Sequence, residues 1–237
     1  MPAGLDGNPN PVVTPQRSAL LDTVAHSIIA GHLGRSLVAV DGRSGVGKST
    51  FADELSAVIG AAGLPVVRSS IDSFHRPRME RMRLGPTSPK GYLHESHQLD
   101  LVKETLLAPF ARGERRVLTA AFDEPTDTVD RRHTVVPSSA VLIVDGLFLL
   151  RRELRPWWTT SVLLHADERL DRRWLDFLLD ELPLQATAAA ALIDDRLARA
   201  RWPRYRAGWQ RYLDEAAPAA AATFVVDNDD LEHPSLA

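Results

Sequence analysis

The chain has 237 residues, enough for one generous α/β domain, and its 44% hydrophobic and 25% charged content excludes a collagen-like or largely disordered protein. It contains no cysteine, which removes disulfides, thiolate nucleophiles and thiolate zinc sites together. A formal net charge of −3 provides no global positive field, and no apolar run approaches the roughly 20 residues of a membrane span, so neither nucleic acid nor a membrane is expected as a partner. The opening Met1-Pro2-Ala3 has neither the basic start nor the apolar core of a signal peptide, and a cytoplasmic protein is expected.

Residues 1–16, with Pro2, Pro9, Pro11 and Pro15, read as a flexible N-terminal tail, and 17–237 as a single domain. From Arg17 to Leu33 the residues Leu20, Leu21, Val24, Ile28 and Ile29 recur at helical spacing. Leu37 to Val40 is a short apolar run ended by Asp41-Gly42, a buried strand and its turn. Phe51 to Ala62 reads as a helix stopping near Gly63, and Pro65 to Ile71 as a second strand closed by Asp72. Residues 73–97 carry Pro77, Gly85, Pro86, Pro89 and Gly91 without periodicity, a long loop of the kind that usually serves function. Leu99 to Phe110 is helical, and Arg116–Phe122 with His133–Val136 forms a small hairpin. Ala140 to Asp145 is the clearest buried strand. It is followed by a strand over Ser161–His165, helices over Asp167–Leu182 and Ile193–Glu215, and a last strand over Thr223–Val226. Strands alternating with helices imply right-handed crossovers and a parallel sheet covered on both faces.

The strongest motif is Gly42-Arg43-Ser44-Gly45-Val46-Gly47-Lys48-Ser49-Thr50, which satisfies the phosphate-loop pattern in full between a strand and a helix. Its glycines let backbone N–H groups converge on phosphate oxygens at a helix N-terminus, Lys48 reaches the terminal phosphates, and the Ser49 hydroxyl suits Mg²⁺. Residues 42–50 are therefore the expected ATP cradle. The strand running into Asp145 places a second carboxylate beside that metal, a Walker B arrangement. No Asn is followed by Lys, which argues against a guanine-specific switch, and no Leu-Ser-Gly-Gly-Gln stretch marks a transporter ATPase.

Over about residues 18–230 the chain resembles the uridine kinase and phosphoribulokinase family. The resemblance rests on Gly42–Thr50, on Ile71-Asp72-Ser73-Phe74-His75-Arg76, on Phe122-Asp123, on Val144-Asp145-Gly146 and on Phe224-Val225-Val226-Asp227-Asn228. Gly91-Tyr92 and Gly208-Trp209-Gln210-Arg211-Tyr212 match stretches of its bacterial members. It implies a three-layer P-loop sandwich of the nucleoside and nucleotide kinase type, α/β with a mostly parallel sheet, a small β-hairpin and a helical lid. It also implies ATP and Mg²⁺, the latter on Ser49 and Asp145, and Asp72 as general base on an acceptor hydroxyl. Independently, ligands of parallel sheets bind beyond the strand carboxyl ends, where Asp72 lies; a helix N-cap is its plainer alternative.

The acceptor pocket is expected from Asp72, Phe74, His75, Arg76, Tyr92, Glu95, Phe122 and Asp123, with Lys48, Arg169 and Arg173 as the charge-stabilising catalytic groups. The acceptor is a nucleoside-like small molecule, foremost the 5′-hydroxyl of uridine or cytidine. The family's pyrimidine-reading His has no counterpart, so another nucleoside, a pantothenate-like or sugar-like metabolite, or a regulatory ATP-binding role stays open, as does a homo-oligomer. Arg196 to Arg211 holds six arginines among Trp202, Tyr205 and Trp209, readable as a lid, a solvated face or a single-strand binder. His94 and His97 are three apart and miss the spacing of a helical zinc pair.

Overall fold

The computed structural model describes residues 13–166 and 203–237, so the helix expected over 167–182, with Arg169 and Arg173, lies outside the described residues. Among the described residues eight strands occur: β1 (Arg35–Gly42), β2 (Val66–Ser70), β3 (Arg116–Asp123), β4 (Thr128–Val135), β5 (Ala140–Gly146), β6 (Thr160–His165), β7 (Phe224–Asp227) and β8 (Ser235–Leu236). Six of them form one sheet in the order β2-β5-β1-β6-β7-β8, parallel except for the terminal β8. The short antiparallel β8 is an element the sequence reading lacked. The other two, β3 and β4, pair as a separate antiparallel hairpin.

The central strands are continuous apolar runs because both of their faces are covered. Val38, Val40, Val141 and Ile143 point to one side and pack with Leu21 and Val24 of α1 (Pro15–Ala30) and with Phe51, Leu55 and Ile59 of α2 (Lys48–Ala61). Leu37, Ala39, Leu142 and Val144 point to the other side, against Val102, Leu106 and Phe110 and against Val117 and Ala121 of β3. The period-2 alternation of side chains thus builds two cores from one strand, and truncating a fully buried residue such as Leu142 to Ala costs about 2–5 kcal/mol.

Three boundaries differ from the sequence reading for local reasons. Pro15, read as tail, is the first residue of α1, where its missing N–H costs nothing, and the Thr14 hydroxyl caps the helix by accepting from Arg17 N. The stretch 73–97 is ordered into short pieces, a 3₁₀ turn over Ile71–Phe74 and helices over Arg78–Arg81 and Pro89–His94, the last again opened by a proline. β4 begins at Thr128 rather than His133. It is exposed along most of its length, so the apolar pattern that marks β3 is missing from it. The helix over 99–111 carries a π segment at Lys103–Leu107; of the helix expected over Ile193–Glu215, residues 193–202 lie outside the described residues and 203–216 are helical. Among the described residues no helix is long and apolar enough to cross a membrane.

Candidate active site

The carboxyl ends of β1, β2 and β5 lie side by side, and each delivers one candidate group. β1 runs into the phosphate loop. Gly42 sits so close to β6 that a Cβ would lie 2.7 Å from the Leu164 carbonyl oxygen, and Gly47 adopts φ +87° at the N-cap of α2. No side chain caps α2, so the positive end of this 14-residue helix is left to the loop backbone. Lys48, almost fully buried, folds back to donate to the Arg43 carbonyl at 2.8 Å. Asn228 fastens the loop from behind, donating to Val46 O at 2.7 Å, and buried Arg17 donates to Asn228 Oδ1 at 3.4 Å while pairing with Glu54 at 2.7 Å.

β5 delivers Asp145, which accepts from the Ser49 hydroxyl at 2.8 Å and from Arg68 Nη2 at 3.0 Å. A hydroxyl and a carboxylate in contact are a hard oxygen donor set, the kind Mg²⁺ takes, so the expected metal ligands fit the ion. A polar cavity of about 300 Å³ opens here, bounded by Ser49, Ser73, Arg68, Arg132 and Asp145.

β2 delivers Asp72. The cap of the 3₁₀ turn that follows is Ser70, whose hydroxyl accepts from Asp72 N at 3.3 Å. The alternative of Asp72 as helix cap is thereby answered: another side chain holds that position and the carboxylate stays available. It is about half exposed and accepts from Nε2 of buried His97 at 3.3 Å. A second cavity of about 420 Å³ has Asp72, His75, Tyr92, Phe122 and Asp123 in its wall, together with Ser44 of the phosphate loop. Ser73 and Arg132 border both cavities, so the Asp72 side and the Asp145 side adjoin.

Five of the expected acceptor residues therefore come together. Phe74 does not join them: it is fully buried in the core beside Ile71 and Val102. Glu95 pairs with Arg83 at 3.0 Å and Arg76 with Glu80 at 3.4 Å, and neither lines the cavity. The structure adds Arg81, Glu124, Arg132 and Arg204 to the wall, with Arg81 donating to Glu124 at 2.6 Å. Behind the wall, bonded to Asp72, lies His97, which the sequence reading weighed as a zinc partner of His94, a substrate contact or an exposed residue; it is buried. No local spacing links His97 to Asp72, 25 residues away.

The electrostatics separate the roles. Burial works against charge on Asp72, but the His97 hydrogen bond and the neighbouring His97, His75 and Lys48 outweigh it and hold the carboxyl at about 2, so it is ionised throughout the physiological range. Burial lowers His97 to about 4 despite the opposing pull of Asp72, which keeps the ring neutral. Burial also lowers Lys48, opposed by Asp72, Asp41 and Asp145. Asp41, at the end of β1, is raised by burial although it accepts from Gly42 N at 2.7 Å, Leu150 N at 2.9 Å and the Tyr212 hydroxyl at 2.5 Å. The Gly208–Tyr212 stretch noted in the sequence thus has two jobs. Tyr212 anchors Asp41 under the loop, and Gly208 lets the helix over 203–216 lie against the Tyr92 ring, where a Cβ would stand 2.6 Å from Cδ1.

No protein-family model matches this sequence, and a comparison with curated proteins finds no match. Solved structures do match. A possible uridine kinase from Bacillus stearothermophilus superposes with a TM-score of 0.67 at 22% identity, over 88% of this chain and 97% of that one. A proposed fructose transport system kinase from Silicibacter sp. TM1040 gives a TM-score of 0.60 at 26% identity, over 80% and 94%. D-glycerate 3-kinase from Cryptococcus neoformans gives 0.61 at 14% identity, over 94% and 98%. The fold is that of the P-loop small-molecule kinases, the α/β architecture implied by the resemblance to the uridine kinase and phosphoribulokinase group.

Proposed function

We propose that this chain is an ATP- and Mg²⁺-dependent phosphotransferase acting on a hydroxyl of a small molecule, with the 5′-hydroxyl of a pyrimidine nucleoside as the first acceptor to test. The observation that carries the reading is Asp72: an ionised, half-exposed carboxylate in the wall of a cavity that also contains the phosphate-loop residue Ser44. Residues 42–50 hold the triphosphate, with Lys48 against its terminal phosphates. Ser49 and Asp145 hold Mg²⁺, which when bound offsets charge on the phosphates. Arg169 and Arg173 are the arginines we propose to close over the nucleotide.

Asp72 accepts the proton of the acceptor hydroxyl as its oxygen bonds to the γ-phosphorus, while the bond from that phosphorus to the β,γ-bridging oxygen breaks and ADP leaves. The His97 hydrogen bond fixes which carboxylate oxygen faces the cavity. Tyr92 and Phe122 supply aromatic surface for a base, and Asp123, Glu124 and Arg132 supply groups for acceptor hydroxyls. That polar share also suits sugar-like acceptors, consistent with neighbours whose names include a fructose transport kinase and a glycerate kinase.

ADP release from Mg·ATP, measured against uridine, cytidine, adenosine, ribose, pantothenate, glycerate and fructose, tests the proposal. Stimulation by one acceptor supports the phosphotransferase reading and names its substrate. A flat response across the panel with nucleotide bound favours the regulatory ATP-binding role instead.

A further inference from the structure

Asp72, His75 and His97 offer one ligand atom each, and the three atoms lie within 4.8 Å of one another. His97 projects from the end of the irregular stretch and His75 from just after the 3₁₀ turn. An isolated bridge between the two backbones brings their rings to 4.5 Å between centroids. Two features make this more than a crowd of polar groups. The first is the state of His75: its Nδ1 lies 2.8 Å from the Asp72 carbonyl oxygen. A carbonyl only accepts, so Nδ1 carries the proton and Nε2 keeps a lone pair, the arrangement in which a ligating histidine is oriented by a backbone carbonyl. The second is His97: it is buried, its Nε2–H donates to Asp72 Oδ1 at 3.3 Å, and its Nδ1 has no hydrogen-bond partner, so an ion takes the place of the Nε2 proton and the ring carries its proton on Nδ1 instead. That 3.3 Å is the donor–donor separation expected around a tetrahedral ion with bonds of about 2.0–2.1 Å.

We infer that Asp72, His75 and His97 form a site for a borderline divalent transition metal, with Zn²⁺ as the type ion, separate from the hard-oxygen site of Ser49 and Asp145. Two imidazoles and one carboxylate select such an ion over Mg²⁺, which prefers an all-oxygen shell. Three protein ligands leave the fourth position open toward the cavity. Closing the cluster asks His75, which is partly exposed, to move inward by no more than about 1.5 Å, because the three atoms already lie within 4.8 Å of one another. A carboxylate bonded to a metal no longer accepts a proton from the acceptor, so occupancy silences the kinase without touching the phosphate loop. This last consequence rests on Asp72 being the base; the metal site itself does not.

The test is calorimetric titration of the full chain with Zn²⁺, in millimolar Mg²⁺ and without nucleotide, beside His75→Gln and His97→Gln, with circular dichroism to check each fold. One Zn²⁺ per chain whose affinity drops at least about 100-fold in both variants supports the site. Unchanged Zn²⁺ binding by folded His75→Gln overturns it, and because His75 is partly exposed that variant is the decisive one if His97→Gln does not fold. In turnover assays Zn²⁺ should inhibit the wild type in step with occupancy of the site. If no acceptor supports turnover, the proposed function fails while the titration still decides the metal site.

Discussion

Tyr212→Phe removes a single oxygen from a fully enclosed polar contact. Tyr212 is 1% exposed and Asp41 0%, and the phenol donates to Asp41 Oδ2 at 2.5 Å while accepting from Leu150 N at 3.0 Å. After the change Asp41 keeps the N–H groups of Gly42 and Leu150 but loses its hydroxyl donor. The ring itself stays packed against Phe148 and Trp209, at centroid distances of 5.1 Å each, so the loss is almost purely polar. Removing one partner of a buried hydrogen bond costs about 1–3 kcal/mol, and the expected destabilisation is about 2 kcal/mol. Urea unfolding at neutral pH should show a lower midpoint with an unchanged slope. In a double-mutant cycle with Asp41→Asn the two changes should fall short of additivity by about 1 kcal/mol or more. A loss under about 0.5 kcal/mol, or full additivity, refutes the claim that this contact braces the base of the phosphate loop.

Other expectations follow from the same geometry. Burial holds His97 neutral with a folded value of about 4 against about 6.5 in the unfolded chain, so between those values the unfolded state binds the extra proton and stability falls as pH drops from 6.5 to 4. The contribution is about 3 kcal/mol. Urea midpoints across that window, in EDTA, should fall more steeply for the wild type than for His97→Gln, and equal slopes would contradict the assignment. Ser49→Ala and Asp145→Asn should each raise the Mg²⁺ concentration needed for half-maximal ADP release by about tenfold or more, leaving the acceptor KM in place. Gly208→Ala drives a methyl group into the Tyr92 ring, and steady-state kinetics should show a raised acceptor KM with nucleotide affinity unchanged.

What the sequence could reveal was set by how local each feature is. The phosphate loop spans nine consecutive residues and the strand into Asp145 six, so both carry their geometry in their spacing, and the structure places Lys48, Ser49 and Asp145 together. Asp72 was legible as a strand-end carboxylate, and its freedom from capping became visible only with Ser70 in the cap position. The pieces over 71–94 are four to six residues long, too short for a periodic signal. Phe74 sits between Asp72 and His75 in sequence, yet the 3₁₀ turn rotates it into the core while its neighbours face the cavity. Contacts such as Tyr212 on Asp41, 171 residues apart, and Arg17 on Asn228, 211 apart, exist only through the fold. Their residue types gave no hint, because a buried Arg and a buried Asp look like surface charges until their partners are seen.

The central claim is that Asp72 is the base that activates the acceptor, and one variant tests it most directly. Asp72→Asn keeps the shape of the side chain and its contact with His97 but removes the proton acceptor. With an acceptor that supports wild-type turnover, kcat should fall by about 10²–10⁴-fold while the affinity for Mg·ATP, measured by fluorescence titration, stays within about twofold. Near wild-type kcat in a folded Asp72→Asn protein would contradict the account and require another group to take the proton.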